Sequence, residues 1–538
     1  MSRQWLLMMT ALVICSGCQP AGDPATTIER AEPAAADPMS SADTRRPEFR
    51  LDVSGSFSAD SVARYPGAHT SVYAHIDANL DEHIANIQRW VRQPSISAQN
   101  EGIVEMARLL RDDLKTLGFA EAELVPTDGH PGVWGYYDAG AEKTLMLYMM
   151  YDVQPVDPAD WKSPPFEAAL VDHELGTVLM GRGATNQKGP QRAFLNAVQS
   201  ILAVDGKLPV NLMVAAEGEE ELGSPHYPQI IDKYEHRLQE AVGAIFPFNS
   251  QRPDGVLSMI LGVKGIIYFE LEARGGPQGG PTEAEIHGSY KAGVDSPVWR
   301  LIQALASMTT ADGNTILIED YYDDLRPMNE EEQRLMQNVL ENLNEEQLKQ
   351  SLGVERWIDG MSGEEAQMEL LLMPTLNIDG IWAGYTGEGV KTILPHKATA
   401  KVDSRLPPGI NPEEALAKIR AHLDANGFED IDMRVLSSYP AAQTSVDTDM
   451  VRAAISVGNK YAAEVTLMPR IAGSAPFYQF TERLGIPMVP YGIGFGTGAH
   501  APNEIMLIYP REGSAVAGLA EIEKSYVDFL YALAADDQ

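Results

Sequence analysis

The sequence predicts an α/β protein, a mostly parallel sheet flanked by helices, with an α+β domain inserted into it. Three observations predict this. Short apolar runs such as 145–150 end in acids or glycines, as strands buried on both faces do. Segments with apolar residues three and four apart alternate with those runs, the order of a chain that crosses back over its own sheet. After Gly262 the pattern becomes alternation, with Phe269, Leu271 and Ala273 separated by Glu270 and Glu272, the period of a half-exposed strand.

The elements follow in order. Between Val72 and about Gly118, Ile76, Leu80, Ile84, Ile87 and Val91, then Val104, Ala107, Leu110 and Leu114, predict two amphipathic helices. Strands are expected at 132–137, 144–152 and 178–181, then a helix from about Pro190, then a buried strand at 209–216 that ends in EGEEELGSP. In the inserted part the pattern predicts a helix over 296–308, a charged stretch at 329–352, a strand at 397–405 and a helix over Pro412–Ala425 stopped by Asn426 and Gly427. From about Pro440 the α/β pattern returns and closes on a helix at 513–533. The expected divisions are a catalytic domain in two parts, 66–264 and 439–538, around an inserted domain at 265–438.

At 538 residues and 44% apolar composition, the chain is long enough for two domains with substantial cores. A net charge of −35 excludes nucleic acid as a partner, since phosphate binding needs clustered Lys and Arg. Arg3, the apolar run 5–15 and the small residues before Cys18 read as a secretory signal over 1–18. Its end, ICSGCQ, resembles a bacterial lipobox with Cys18 as the lipidated residue; a plain secretory signal cut nearby is the alternative. That places the protein at the bacterial cell envelope, lipid-anchored and facing the periplasm, or secreted. Residues 19–65, rich in Ala, Pro, Asp, Ser and Thr, read as a flexible tether. Both cysteines lie in the signal, which excludes disulfides and thiolate metal sites from the folded part.

Four polar clusters stand at strand ends or in glycine-rich turns: Asp152, GRGATNQKG (181–189), EGEEELGSP (217–225) and GTGAHAPNE (496–504). Glycine beside acids, amides and histidine permits close backbone approach and ligation of a cation. An acidic run by itself is most often solvated surface. This one follows a buried strand directly and has Gly223 and Ser224 behind it, which argues for a site.

From about residue 75, DVQPVDPADWKSPPF, GRGAT, KGP, EGEEELGSP, PTLNIDGIWAGYTGEGVKT and GAHAPNE occur in one order. In this the chain resembles the carnosinase and cytosolic dipeptidase type of zinc metallopeptidase, and also the glutamate carboxypeptidase and acetylornithine deacetylase types. The resemblance implies a two-zinc catalytic domain with a lid that also forms a homodimer, acting on small peptides or N-acyl amino acids. It implies Glu220 as general base, with Glu221 and His500 as metal ligands. It further implies His287 as a lid histidine reaching across the dimer to the oxyanion, and Arg405 as the receptor of the substrate carboxylate. Asn377 and the Gly473-Ser474 turn match further substrate-contacting positions.

Three ligand positions depart from that pattern. Met150 stands where the resemblance calls for a histidine and Asn186 where it calls for the bridging aspartate; AIFPFNSQ (244–251) contains no acid. A thioether and a neutral amide are poor partners for a hard divalent cation, so the first metal site is expected to be absent. The second keeps Glu221 and His500, with the Asn186 carbonyl as a weak third ligand, while His226 reads first as an ordinary loop residue. Asp152 is left as a structural, ligating or acid–base group. The expectation is a hydrolase of peptide or N-acyl amino acid amide bonds with zinc or another divalent metal, one ion or none. The alternative is a non-catalytic, metal-free relative that binds a carboxylate-bearing peptide or small molecule.

Overall fold

The computed structural model describes residues 46–535, so the expected signal, lipobox and most of the tether lie outside the described residues. Residues 46–65, counted with the tether in the sequence reading, lie instead against the body. Arg46 pairs with Asp359 and Glu369, the Phe57 N–H donates to the Arg334 carbonyl at 3.1 Å, and Ala59 is buried. Phe49, Leu51, Phe57, Val62 and Tyr65 supply the apolar contacts that hold this stretch down.

Six strands form the central sheet in the order Glu121–Val125, Gly132–Tyr137, Asn211–Glu217, Thr144–Met150, Gly243–Pro247, Met488–Tyr491. The last four are parallel, and the first two form an antiparallel edge. Crossover helices explain the parallel part, Lys188–Asp205 joining Thr144–Met150 to Asn211–Glu217 and Tyr227–Leu238 leading on to Gly243–Pro247. Burial on both faces explains the apolar runs. Leu145, Leu147 and Met149 enter the core under helices Leu80–Arg92, Lys188–Asp205 and Leu519–Ala534, whereas Met146, Tyr148 and Met150 enter a second core under Tyr227–Leu238. The two helices expected between 72 and 118 are three, Thr70–Ala78, Leu80–Arg92 and Ile103–Thr116. The first pair breaks at Asn79, and Pro94 disfavours helical backbone at Gln93, which ends the second.

The inserted domain has four antiparallel strands in the order Asn377–Ala383, Lys397–Leu406, Gly265–Arg274, Asp432–Tyr439. Burial alternates along Gly265–Arg274, and Phe269 and Leu271 meet Leu301 and Ile419 of helices Pro297–Ser307 and Pro412–Ala425. Asn411 starts the second helix by accepting hydrogen bonds from the Glu413 and Glu414 N–H groups. The charged stretch at 329–352 folds as two helices, Glu330–Glu341 and Glu345–Leu352.

Met150 and Glu217 are register partners at the carboxyl ends of adjacent parallel strands. Beyond them the chain leaves the sheet through Asp152 on one side and Gly218 to Glu221 on the other. Such a crevice beyond the strand ends is where an open α/β sheet places its chemistry.

Candidate active site

Asp152 is fully buried two residues beyond its strand. Its Oδ1 accepts the Glu220 N–H at 3.2 Å and its Oδ2 the Glu221 N–H at 3.1 Å. The carboxylate therefore fixes the short turn Glu220–Leu222 that presents both glutamates. Of the roles left open by the sequence, this geometry assigns Asp152 the structural one. Gly223 closes the turn at φ +86°, a left-handed conformation suited to glycine, and a Cβ there would stand 3.1 Å from the Ser437 hydroxyl of the inserted domain.

A second loop meets this turn. Glu504, fully buried, pairs with Arg182 at 2.7 Å and accepts the N–H groups of Gly183, Thr185 and Asn186 at 3.1, 2.8 and 2.8 Å. This holds the 181–189 loop with Asn186 against Glu221. The Asn186 Nδ2 donates to Glu221 Oε1 at 2.8 Å, while Gln154 Nε2 donates to Oε2 at 2.8 Å and His500 Nε2 lies 3.1 Å from the same oxygen.

At the expected second metal site the side chains are bonded to one another. An ionised carboxylate only accepts, so Asn186 presents its nitrogen to Glu221 and not the carbonyl a cation would need. Glu221 Oε2 faces two protein donors and Oε1 one. Met150 lies in the apolar core with Tyr148, Phe246, Phe477 and Phe480, which fills the region of the expected first site with hydrocarbon. His226 is taken by Glu219, 2.7 Å from its Nδ1. Among the described residues no group of three or more His, Cys, Asp or Glu side chains converges to hold a metal ion. The residues present do not fit a catalytic zinc centre, which ordinarily uses three protein ligands.

Several carboxyl groups crowd this space without a neutralising partner for each. Burial, with the Glu221 charge second, raises Asp152 to about 7. Burial raises Glu217 to about 8 against hydrogen bonds from the Tyr148 and Ser224 hydroxyls, and burial, then Glu221, Asp152 and Glu217, raises Glu220 well above the carboxylate range. His500 moves upward because Glu221 bonds it.

The structure does not gather the remaining site residues around Glu220. Arg405 and Asn377 line a separate cavity of about 580 Å³ together with Lys264, Asp379, Asp403, Trp357, Met361 and Leu370. There Arg405 Nε donates to Asp403 at 3.0 Å and Asn377 Nδ2 bridges Asp379 and Asp403 at 2.9 and 3.1 Å. Gly473 and Ser474 pin the base of this region: the Lys264 N–H donates to the Gly473 carbonyl, and the Ser474 hydroxyl donates to Gly265. Tyr439 lies between the two regions, its hydroxyl raised by burial and by Glu220 and lowered by Arg405. His287 stands apart, exposed on the inserted domain and bonded to Ser289 and Thr392 of its own chain.

Sequence reasoning missed Gln154, Glu217 and Glu504. Each sits inside a quoted motif, but none carries a signal of its role, because a loop-holding carboxylate and a ligating one have the same letter. Lys264 was also missed; it is buried, donates to the Met373 carbonyl at 2.6 Å, and is lowered to about 7 by burial and then by Arg470 and Arg405.

A profile of peptidase family M20/M25/M40 matches residues 146–510. Human Beta-Ala-His dipeptidase is 27% identical over 481 residues, 84% of this chain and 91% of its own. The Cys-Gly metallodipeptidase DUG1 of Candida albicans is 27% identical over 448 residues, 78% and 90% of the two chains. Among solved structures, an M20 family metallo-carboxypeptidase from Sulfolobus solfataricus superposes with a TM-score of 0.76 at 34% identity, covering 84% of this chain and 99% of that one.

Proposed function

We propose that this chain, which belongs to peptidase family M20/M25/M40, hydrolyses the amide bond of small peptides or N-acyl amino acids, with Glu220 as the proton-transfer group. The observation that carries this reading is the turn Glu220–Leu222, held by Asp152 at the carboxyl end of the sheet and facing the 181–189 loop. Its relatives are dipeptidases and carboxypeptidases.

In this reading a water attacks the amide carbon and gives its proton to Glu220 in its ionised form, the form that burial disfavours, and Glu220 returns the proton to the leaving amine. His500, beside this turn through Glu221, is the imidazole offered to the carbonyl oxygen. Arg405 supplies the planar donor pair that suits a terminal carboxylate, and the apolar wall of Trp357, Met361 and Leu370 suits an apolar side chain beside it. The test compares wild type with Glu220→Gln on a panel of dipeptides and N-acyl amino acids. Turnover equal in both sinks the reading.

A second reading, a binder without catalysis, is favoured by one specific observation: both oxygens of Glu221 are occupied by protein donors. Ligand binding that depends on Arg405, without turnover of any panel member, would select it.

The homodimer belongs to this proposal as well. Support comes from the edge strand Asn377–Ala383, which leaves Ile378, Ile381 and Trp382 exposed beside an unpaired backbone edge. His287 would then act in the partner's centre, since it has no contact with its own. The envelope location and the lipid on Cys18 rest on the sequence, and metabolic lipid labelling that Cys18→Ser leaves unchanged would refute the anchor. No described helix is long and apolar enough to cross a membrane.

A further inference from the structure

We infer that this centre works without a resident divalent cation, its metal replaced by three hydrogen-bond donors, Asn186, Gln154 and His500, that close on Glu221. The family reading says only where the centre lies; the inference concerns what fills it. Asn186 Nδ2 and Gln154 Nε2 each stand 2.8 Å from a different Glu221 oxygen, with His500 Nε2 at 3.1 Å. The His500 imidazole and two amide N–H groups engage both oxygens of that carboxylate, the place a cation takes in a metalloenzyme.

Of the neighbours, Asp152 and Glu504 are committed to the fold, while Glu217 Oε2 and Asn249 Oδ1 are buried without a partner. Each Asp152 oxygen accepts one main-chain N–H group, which fixes the turn that presents Glu220. Glu504 spends its carboxylate on Arg182 and three N–H groups. Met150 and Phe246 share one apolar core. Asn249, the nearest polar residue after Phe246 in sequence, donates to the Thr185 hydroxyl at 3.0 Å and is neutral. Seating one ion on Glu221 Oε2 and His500 would displace Gln154, and recruiting Asn186 as a further ligand would require its amide to turn over. The site would still hold a single charged ligand, a weak donor set for a hard divalent ion.

The test is metal content and melting temperature of the purified protein, measured after incubation with zinc or manganese and desalting, and again in chelator. The inference expects substoichiometric metal and a melting temperature that neither zinc nor chelator moves. One equivalent of metal surviving desalting, or a melting temperature that falls in chelator, overturns it. The double variant Met150→His with Asn186→Asp is expected to retain zinc and to melt higher with it than without, because a site that binds the folded state stabilises it. A folded double variant that gains no zinc would overturn the assignment of these two positions as the replaced ligands. Neither readout uses turnover, so a metal-free chain that hydrolyses nothing refutes the proposed activity and leaves this inference standing, while a zinc-loaded hydrolase does the reverse.

Discussion

The side-chain amide of Asn186 donates to Glu221 Oε1 at 2.8 Å, joining the 181–189 loop to the turn that follows the strand Asn211–Glu217. An aspartate at this position would set two carboxylates against each other with no cation between them. Asn186→Asp alone is therefore expected to lose stability by about 1–3 kcal/mol, the cost of an unmade bond to a buried polar group. Denaturant unfolding in chelator measures it; an unchanged midpoint would mean the contact holds nothing.

Glu504 is expected to matter more. It is fully buried and satisfies Arg182 and three main-chain N–H groups at once. Glu504→Gln leaves the Arg182 charge buried without its counter-charge, and breaking such a pair from one side costs about 3–5 kcal/mol. Thermal melting should show a large drop, and activity should fall with it because Asn186 is no longer positioned. A variant that melts like wild type would show that the loop is held by other means.

Arg405 separates binding from chemistry. Arg405→Ala should raise KM for substrates with a free terminal carboxylate while changing kcat little, and should leave C-terminally amidated analogues unaffected. Equal losses on both substrate types would place Arg405 outside carboxylate recognition.

Trp382 tests the proposed dimer. It is exposed on the edge strand of the inserted domain beside Ile378 and Ile381. Trp382→Glu puts a charge on that apolar edge, and the sedimentation mass is expected to fall from two chains to one. A wild-type chain that sediments as a monomer would refute the pairing.

The strands at 132–137 and 144–150, the helix Pro412–Ala425 and the alternating strand Gly265–Arg274 were legible because burial imposes a period on the sequence. The break at Asn79 was not, since apolar spacing continues across it. At the centre, Asp152, Glu220, Glu221, Asn186 and His500 were legible as neighbours through their motifs. What each does was not. Asn186 could have offered either end of its amide, and the choice is made by Glu221 across the crevice. Gln154 and Glu504 act through contacts 67 and 322 residues away in sequence, which no local pattern encodes. The departure of Arg405 from the Glu220 cluster to its own cavity is a matter of domain placement, visible only once the inserted sheet is folded.

The central claim is that Glu220 moves the proton in amide hydrolysis at a centre without a bound metal. The most direct measurement is single-turnover hydrolysis by wild type and Glu220→Gln, both in chelator, on substrates drawn from dipeptides and N-acyl amino acids. Wild type should turn over, and the variant should be slower by about 100-fold or more, the scale of general acid–base catalysis. Identical rates in the two proteins, or wild-type turnover that vanishes in chelator, would contradict the claim.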